Sequence, residues 1–181
     1  MIQRFTFGCP LPTESVVLPV EPAAAAVPYL TAEPDGSWSF SLAEDAVVYG
    51  LGEMPRGINK RGWHYVADNT DESHHGENRL SYYGAHNFLL IDGGAGRSVF
   101  GVFVDFPGKV FYDIGYTRHD RLTFRTEEPD YDLYILTGDS PNAVCTEFRK
   151  LIGHSYIPPK WAFGFAQRRS SGTGEPKILS C

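Results

Sequence analysis

Apolar and polar residues alternate through much of the chain, a period of two that predicts half-buried strands. Trp38, Phe40 and Leu42 interleave with Ser37, Ser39 and Ser41 just after the turn signal Glu33-Pro34-Asp35-Gly36. Similar patterning predicts strands at 4–7, 47–51, 88–91, 98–106, 110–116, 121–126 and 131–136. Asp92-Gly93-Gly94 and Pro107-Gly108 punctuate them as turns. Residues 16–20 are β-branched but carry Pro19, which confines them to an edge strand at best. The alanine run 22–28 is bracketed by prolines and reads as a loop. Residues 54–81 are polar with almost no periodicity, so a long functional or disordered loop is expected there. Short strands at this spacing, joined by Gly/Pro turns, predict an antiparallel sandwich or barrel.

The period changes once. After Leu136, Asp139 or Ser140 is placed to cap a helix, with Pro141 in the first turn, where its missing N–H costs nothing. Ala143, Val144, Phe148, Leu151 and Ile152 then share one helical face, and Gly153 suits the left-handed residue that ends such a helix. Pro158 and Pro159 impose a stiff, extended connector. The apolar run Trp161-Ala162-Phe163-Gly164-Phe165 is expected to begin a second unit as a buried strand.

Three motifs, in order and at the right spacing, carry a family resemblance. They are Tyr49-Gly50-Leu51-Gly52-Glu53, then Tyr83-Gly84-Ala85-His86-Asn87-Phe88, then the junction. The junction comprises Tyr134-Ile135-Leu136-Thr137-Gly138-Asp139-Ser140-Pro141, Phe148-Arg149-Lys150-Leu151-Ile152-Gly153 and Pro158-Pro159-Lys160-Trp161-Ala162-Phe163-Gly164-Phe165-Ala166-Gln167. The sequence resembles glycoside hydrolase family 31 over residues 2–167, where an N-terminal β-sandwich hands over to a catalytic (β/α)8 barrel. The resemblance implies a mainly β fold: an antiparallel, galactose-mutarotase-like β-sandwich with one C-terminal helix and an orphan first barrel strand. It divides the chain into a sandwich at 1–155 with its connecting helix at 140–152, and a linker plus first barrel strand at 156–167. Residues 168–181 are expected to be an aberrant, disordered tail. Because the family pattern stops at Gln167, that tail is expected to be read out of frame.

The parent activity implied is that of a retaining α-glycosidase, α-glucosidase-like, acting on α-glucoside oligosaccharides. An α-xylosidase parent and a free-standing carbohydrate-binding sandwich are the alternatives. Retaining hydrolysis needs two carboxylates about 5–5.5 Å apart. The family's pair are aspartates on barrel strands beyond the position of Phe165. The stretch from Trp161 to Cys181 is far shorter than the about 250 residues of a typical barrel. No catalytic residue is therefore assigned here, and the chain is expected to be inactive alone. The resemblance also implies that a sandwich loop lines the substrate pocket with a carboxylate. Asn69-Thr70-Asp71-Glu72 occupies that loop, so Asp71 is the substrate-binding candidate and Asp68 its rival.

Composition narrows the partners. A net charge of −6 with no basic run excludes a nucleic-acid footprint. No apolar run approaches the about 18–20 residues a membrane span requires, and the first residues have no signal-peptide pattern. Three cysteines, odd in number and far apart, argue against a disulfide framework; a cytoplasmic location is expected. No cofactor is called for, since P-loop, dinucleotide and nucleophile-elbow patterns are absent. His74-His75 lies near Asp71, Glu72 and Glu77 but reads as a solvated polar loop rather than a metal site. His86 is expected to be packed and hydrogen-bonded, and His119 and His154 to lie at the surface. Trp63, Tyr65, Tyr82 and Tyr83 flank the long loop as either a saccharide surface or sandwich core and rim.

Overall fold

The computed structural model describes residues 1–71, 74–94 and 96–165. The tail expected at 168–181 lies outside the described residues. Among those described, ten strands form two five-stranded antiparallel sheets. Sheet A runs β1 (Ile2–Phe7), β10 (Tyr131–Gly138), β7 (Val99–Asp105), β6 (Ala85–Asp92), β4 (Val47–Gly52). Sheet B runs β2 (Thr31–Ala32), β3 (Trp38–Ser41), β9 (Arg121–Thr126), β8 (Val110–Ile114), β5 (Trp63–Ala67). This is the expected β-sandwich.

Alternation builds the core. Phe5, Val48, Leu89, Ile91, Val102, Leu133 and Ile135 of sheet A meet Trp38, Tyr65, Tyr112, Ile114, Leu122 and Phe124 of sheet B. The Trp38 indole N–H donates to the Tyr131 hydroxyl at 2.7 Å, so this buried donor is met. The intervening residues of sheet A, Leu90, Phe103, Tyr134 and Leu136, point outward. They are covered by Val144, Phe148 and Leu151 of α1 (Pro141–Ile152). Gly101 lets the helix approach: a Cβ there would sit 2.8–2.9 Å from the Phe88 ring and Val144. Ser140 caps α1 as expected, its side chain accepting the Ala143 N–H at 3.2 Å.

Three segments differ from their sequence expectation. Within the stretch read as a long loop, Trp63–Ala67 forms β5, paired along its length with β8. Its outward residues His64 and Val66 contrast weakly with the inward Tyr65 and Ala67, so no period of two was visible. Residues 16–20 form no strand. They run along the end of α1, where the Val17 and Leu18 N–H groups both donate to Leu151 O. The run expected as a barrel strand is instead a 3-10 turn, Lys160–Phe163. No described strand lies beside it, and its N–H groups find only local carbonyls, Ala162 to Pro159 O and Gly164 to Trp161 O. Trp161, Phe163 and Phe165 are 79%, 75% and 93% exposed. Among the described residues no helix is long and apolar enough to cross a membrane.

Candidate functional site

The chain leaves sheet B at the end of β5 and re-enters sheet A at the start of β6, and its intervening loop carries both candidate aspartates. The stems of that loop are joined. Val66 N–H donates to Leu80 O at 3.1 Å and Thr70 N–H to Tyr82 O at 3.2 Å. Asn69 Oδ1 accepts the Ala85 N–H at 2.7 Å, and the Ser81 hydroxyl donates to Asp68 O at 2.6 Å. Further out, the Tyr82 hydroxyl donates to Gly76 O at 2.9 Å. Gly52 provides the neighbouring wall. Its φ of +71° and a Cβ position only 2.3 Å from Gly84 O exclude any side chain where β4 passes the loop base.

The two aspartates have different surroundings. Asp68 is half-buried and pairs with Lys109 Nζ at 3.2 Å. It lines a cleft of about 530 Å³ with Asn69, His86, Asn87, Asp105 and Glu127. Asp71 is exposed, outside that cleft, and among the described residues has no hydrogen-bond or ion partner. The structure therefore does not bring the two together in one site. Within the cleft, burial pushes the Asp105 carboxyl above its usual value, against the opposing hydrogen bond from the Thr13 hydroxyl at 2.5 Å.

The flanking aromatics also separate. Tyr65 is core at 1% exposed, and burial raises its hydroxyl pKa. Trp63 is half-buried beneath the Arg56 guanidinium, 3.7 Å above its ring. Tyr83 is the exposed member, at 44%, with His75 against it at 5.5 Å and against Tyr82 at 4.9 Å. His86 corrects its expectation. It is exposed, because it shares the outer face of β6 with Phe88 and Leu90 but falls beyond the patch that α1 covers. His74 and His75 are exposed loop residues, as are His119 and His154 at the surface.

Sequence reasoning missed Lys109, the ion-pair partner of Asp68. It sits in the β7–β8 hairpin, and nothing local marks it as a partner of a residue on another hairpin. It also missed Arg56 and Lys60, hidden in the stretch without periodicity.

Residues 26–113 match the family model of the glycosyl hydrolase 31 N-terminal galactose mutarotase-like domain. Alpha-glucosidase 2 of Bacillus thermoamyloliquefaciens is 32% identical over 142 residues, covering 77% of this chain and 18% of that protein. Alpha-xylosidase XylQ of Lactiplantibacillus pentosus is 30% identical over 124 residues, covering 68% and 15%. Among solved structures, the Flavobacterium johnsoniae GH31 dextranase complexed with isomaltotriose superposes with a TM-score of 0.63 at 25% identity, over 78% of this chain and 17% of that one. The chain thus spans less than a fifth of the length of each. Sheets, helix and sequence agree, and they place this chain in glycosyl hydrolase family 31 as an N-terminal galactose mutarotase-like β-sandwich domain.

Proposed function

We propose that this sandwich serves a retaining α-glycosidase that removes terminal α-linked glucose from short α-glucoside oligosaccharides, and that Asp71 is its contribution to the substrate pocket. The observation that carries the reading is the contrast between the two aspartates. Asp68 is engaged by Lys109, whereas Asp71 stands exposed on a loop with anchored stems and among the described residues has no partner. An ionised carboxylate is acceptor-only and takes two sugar hydroxyls at once, which orients a substrate without doing chemistry on it. The catalytic carboxylates belong to a barrel, so the sandwich alone turns over nothing.

Two observations bear on the alternatives. Similarity to XylQ, at 30% identity, supports an α-xyloside as the second substrate class. The exposed Trp161, Phe163 and Phe165 weigh against a free-standing binding module, which has no reason to present an apolar run beyond its last helix. The test is turnover of nitrophenyl α-glucoside by the purified 181-residue chain. The expected result is no release above a vector-only preparation, and reproducible release overturns the assignment of catalysis to a barrel.

A further inference from the structure

Two cations lie beneath the Asp71 loop, and the reading above uses neither. Lys60, in the β4–β5 connection, is only 5% exposed. Its ammonium donates to Met54 O at 3.4 Å and Pro55 O at 3.3 Å. The Tyr65 ring lies 5.8 Å away, and burial pushes the amine below its usual pKa. Burial of the amine outweighs the more distant Glu77 carboxylate, which favours its charged form, so the amine depends on the carbonyls it reaches. Here the amine clamps the backbone of residues 54–55. Its own N–H donates to Val48 O at 2.8 Å, which ties the clamp to β4.

The next residue is Arg56, held at a φ of +69°, a left-handed conformation that a residue with a Cβ rarely adopts. That turn aims its guanidinium across the Trp63 ring at 3.7 Å, with the Tyr65 ring at 5.7 Å. Arg56 Nη1 then donates to Arg79 O at 3.3 Å. Arg79 in turn donates to His74 O from Nε at 3.4 Å, and its N–H donates to Gly76 O at 3.0 Å. The series runs from the buried amine through 54–55 and Arg56 to 74–79, the side of the loop away from its joined stems.

We infer that Arg56, locked by Lys60 beneath it, is the positioning residue that holds residues 74–79 of the β5–β6 loop, the segment that leads to Tyr83. Its functional meaning rests on the reading of that loop as part of a saccharide pocket, but the gripping of the loop does not. Trp63 is the seat of the contact: a guanidinium on an indole face is stabilised by the ring quadrupole and stays free to donate at its edge.

The test is amide hydrogen exchange, read by mass spectrometry on the full 181-residue chain. Arg56→Ala is expected to speed exchange across 74–82 by tenfold or more while β7 and β10 keep their rates. Arg56→Lys, which leaves a cation and a donor over Trp63, should restore most of that protection. Lys60→Met keeps the packing volume and removes the donors, and is expected to release 54–56 together with 74–82, again with the strands unchanged. Uniform acceleration in every segment, or an unchanged loop in both Arg56→Ala and Lys60→Met, overturns the inference. Asp71→Ala should leave exchange as it is, so a failure of the Asp71 assignment in kinetics and a failure of the loop grip are read separately.

Discussion

Among the described residues, sheet A is covered on both faces and sheet B on one, and β10 and β8 show the consequence residue by residue. Tyr131 to Leu136 in β10 are all buried, odd positions facing the other sheet and Tyr134 and Leu136 facing α1. In β8, Val110, Tyr112 and Ile114 are buried while Phe111 and Asp113 are half-exposed, with Arg125 lying 4.2 Å over the Phe111 ring. Both strands obey the same pleat. What differs is whether a helix waits on the far side. The same contrast separates the ion pairs. Arg4 holds Asp132, on the outer side of sheet A, by Nε at 3.0 Å and Nη2 at 2.8 Å, and the Thr6 hydroxyl adds a third bond at 2.6 Å. That hydrogen bond to Asp132 raises the Arg4 pKa. Arg121 and Glu33 make the counterpart on sheet B at 2.8 Å, more open to solvent.

The comparison breaks most sharply under a charge on each outer face. Leu136→Asp buries a carboxylate under α1 and is expected to remove about 4 kcal/mol or more in urea unfolding. Thr123→Lys, on the open face of β9 and opposite Asp113, should stay within about 0.5 kcal/mol. If both variants unfold alike, sheet B is covered by something else.

Next in size are the two arginines. Arg4→Ala leaves the Asp132 carboxylate buried without its cation, so a loss of about 3–5 kcal/mol is expected by the same assay. Arg121→Ala should lose no more than about 1 kcal/mol. Ser140→Ala removes the cap of the helix that makes sheet A two-sided. It is expected to lower stability by about 1 kcal/mol and to leave sheet B signals in NMR spectra unshifted.

The smallest effect concerns Asp105, at the sheet A side of the cleft. Its folded pKa is raised, chiefly by burial, so the folded state holds the proton more tightly than the unfolded chain does. Wild-type stability should therefore fall as pH rises from the ordinary aspartate range through the raised folded value. Asp105→Asn should lack that decline. Parallel pH profiles for the two proteins would remove the burial argument.

Legibility in the sequence followed the same division. Strands with a strong inside-outside contrast, such as 121–126 and 38–41, were readable from alternation, and α1 from its cap, its spacing and Gly153. β5 was not, because His64 and Val66 on its outer face differ too little from Tyr65 and Ala67. Composition predicts a strand at 161–165, yet strand geometry needs a neighbour to receive its N–H groups, and no described segment supplies one. At the site, the loop and both aspartates were visible along the chain. The Asp68–Lys109 pair was not, since it joins two hairpins whose approach depends on the packing of the whole sandwich. Nor was the grip of Arg56, which needs a left-handed backbone that sequence pattern does not announce at a non-glycine residue.

Asp71 is the pocket-lining carboxylate of the proposed function, and kinetics in a barrel-bearing relative test that role most directly. Alanine at the position aligned with Asp71 is predicted to lower kcat/KM by the loss of about one charge-assisted hydrogen bond, ~1.5–3 kcal/mol. Alanine at the Asp68 position should do less, because that side chain is already spoken for by a lysine. Unchanged kinetics from the first substitution, with impairment from the second, would contradict the account and move the role to Asp68.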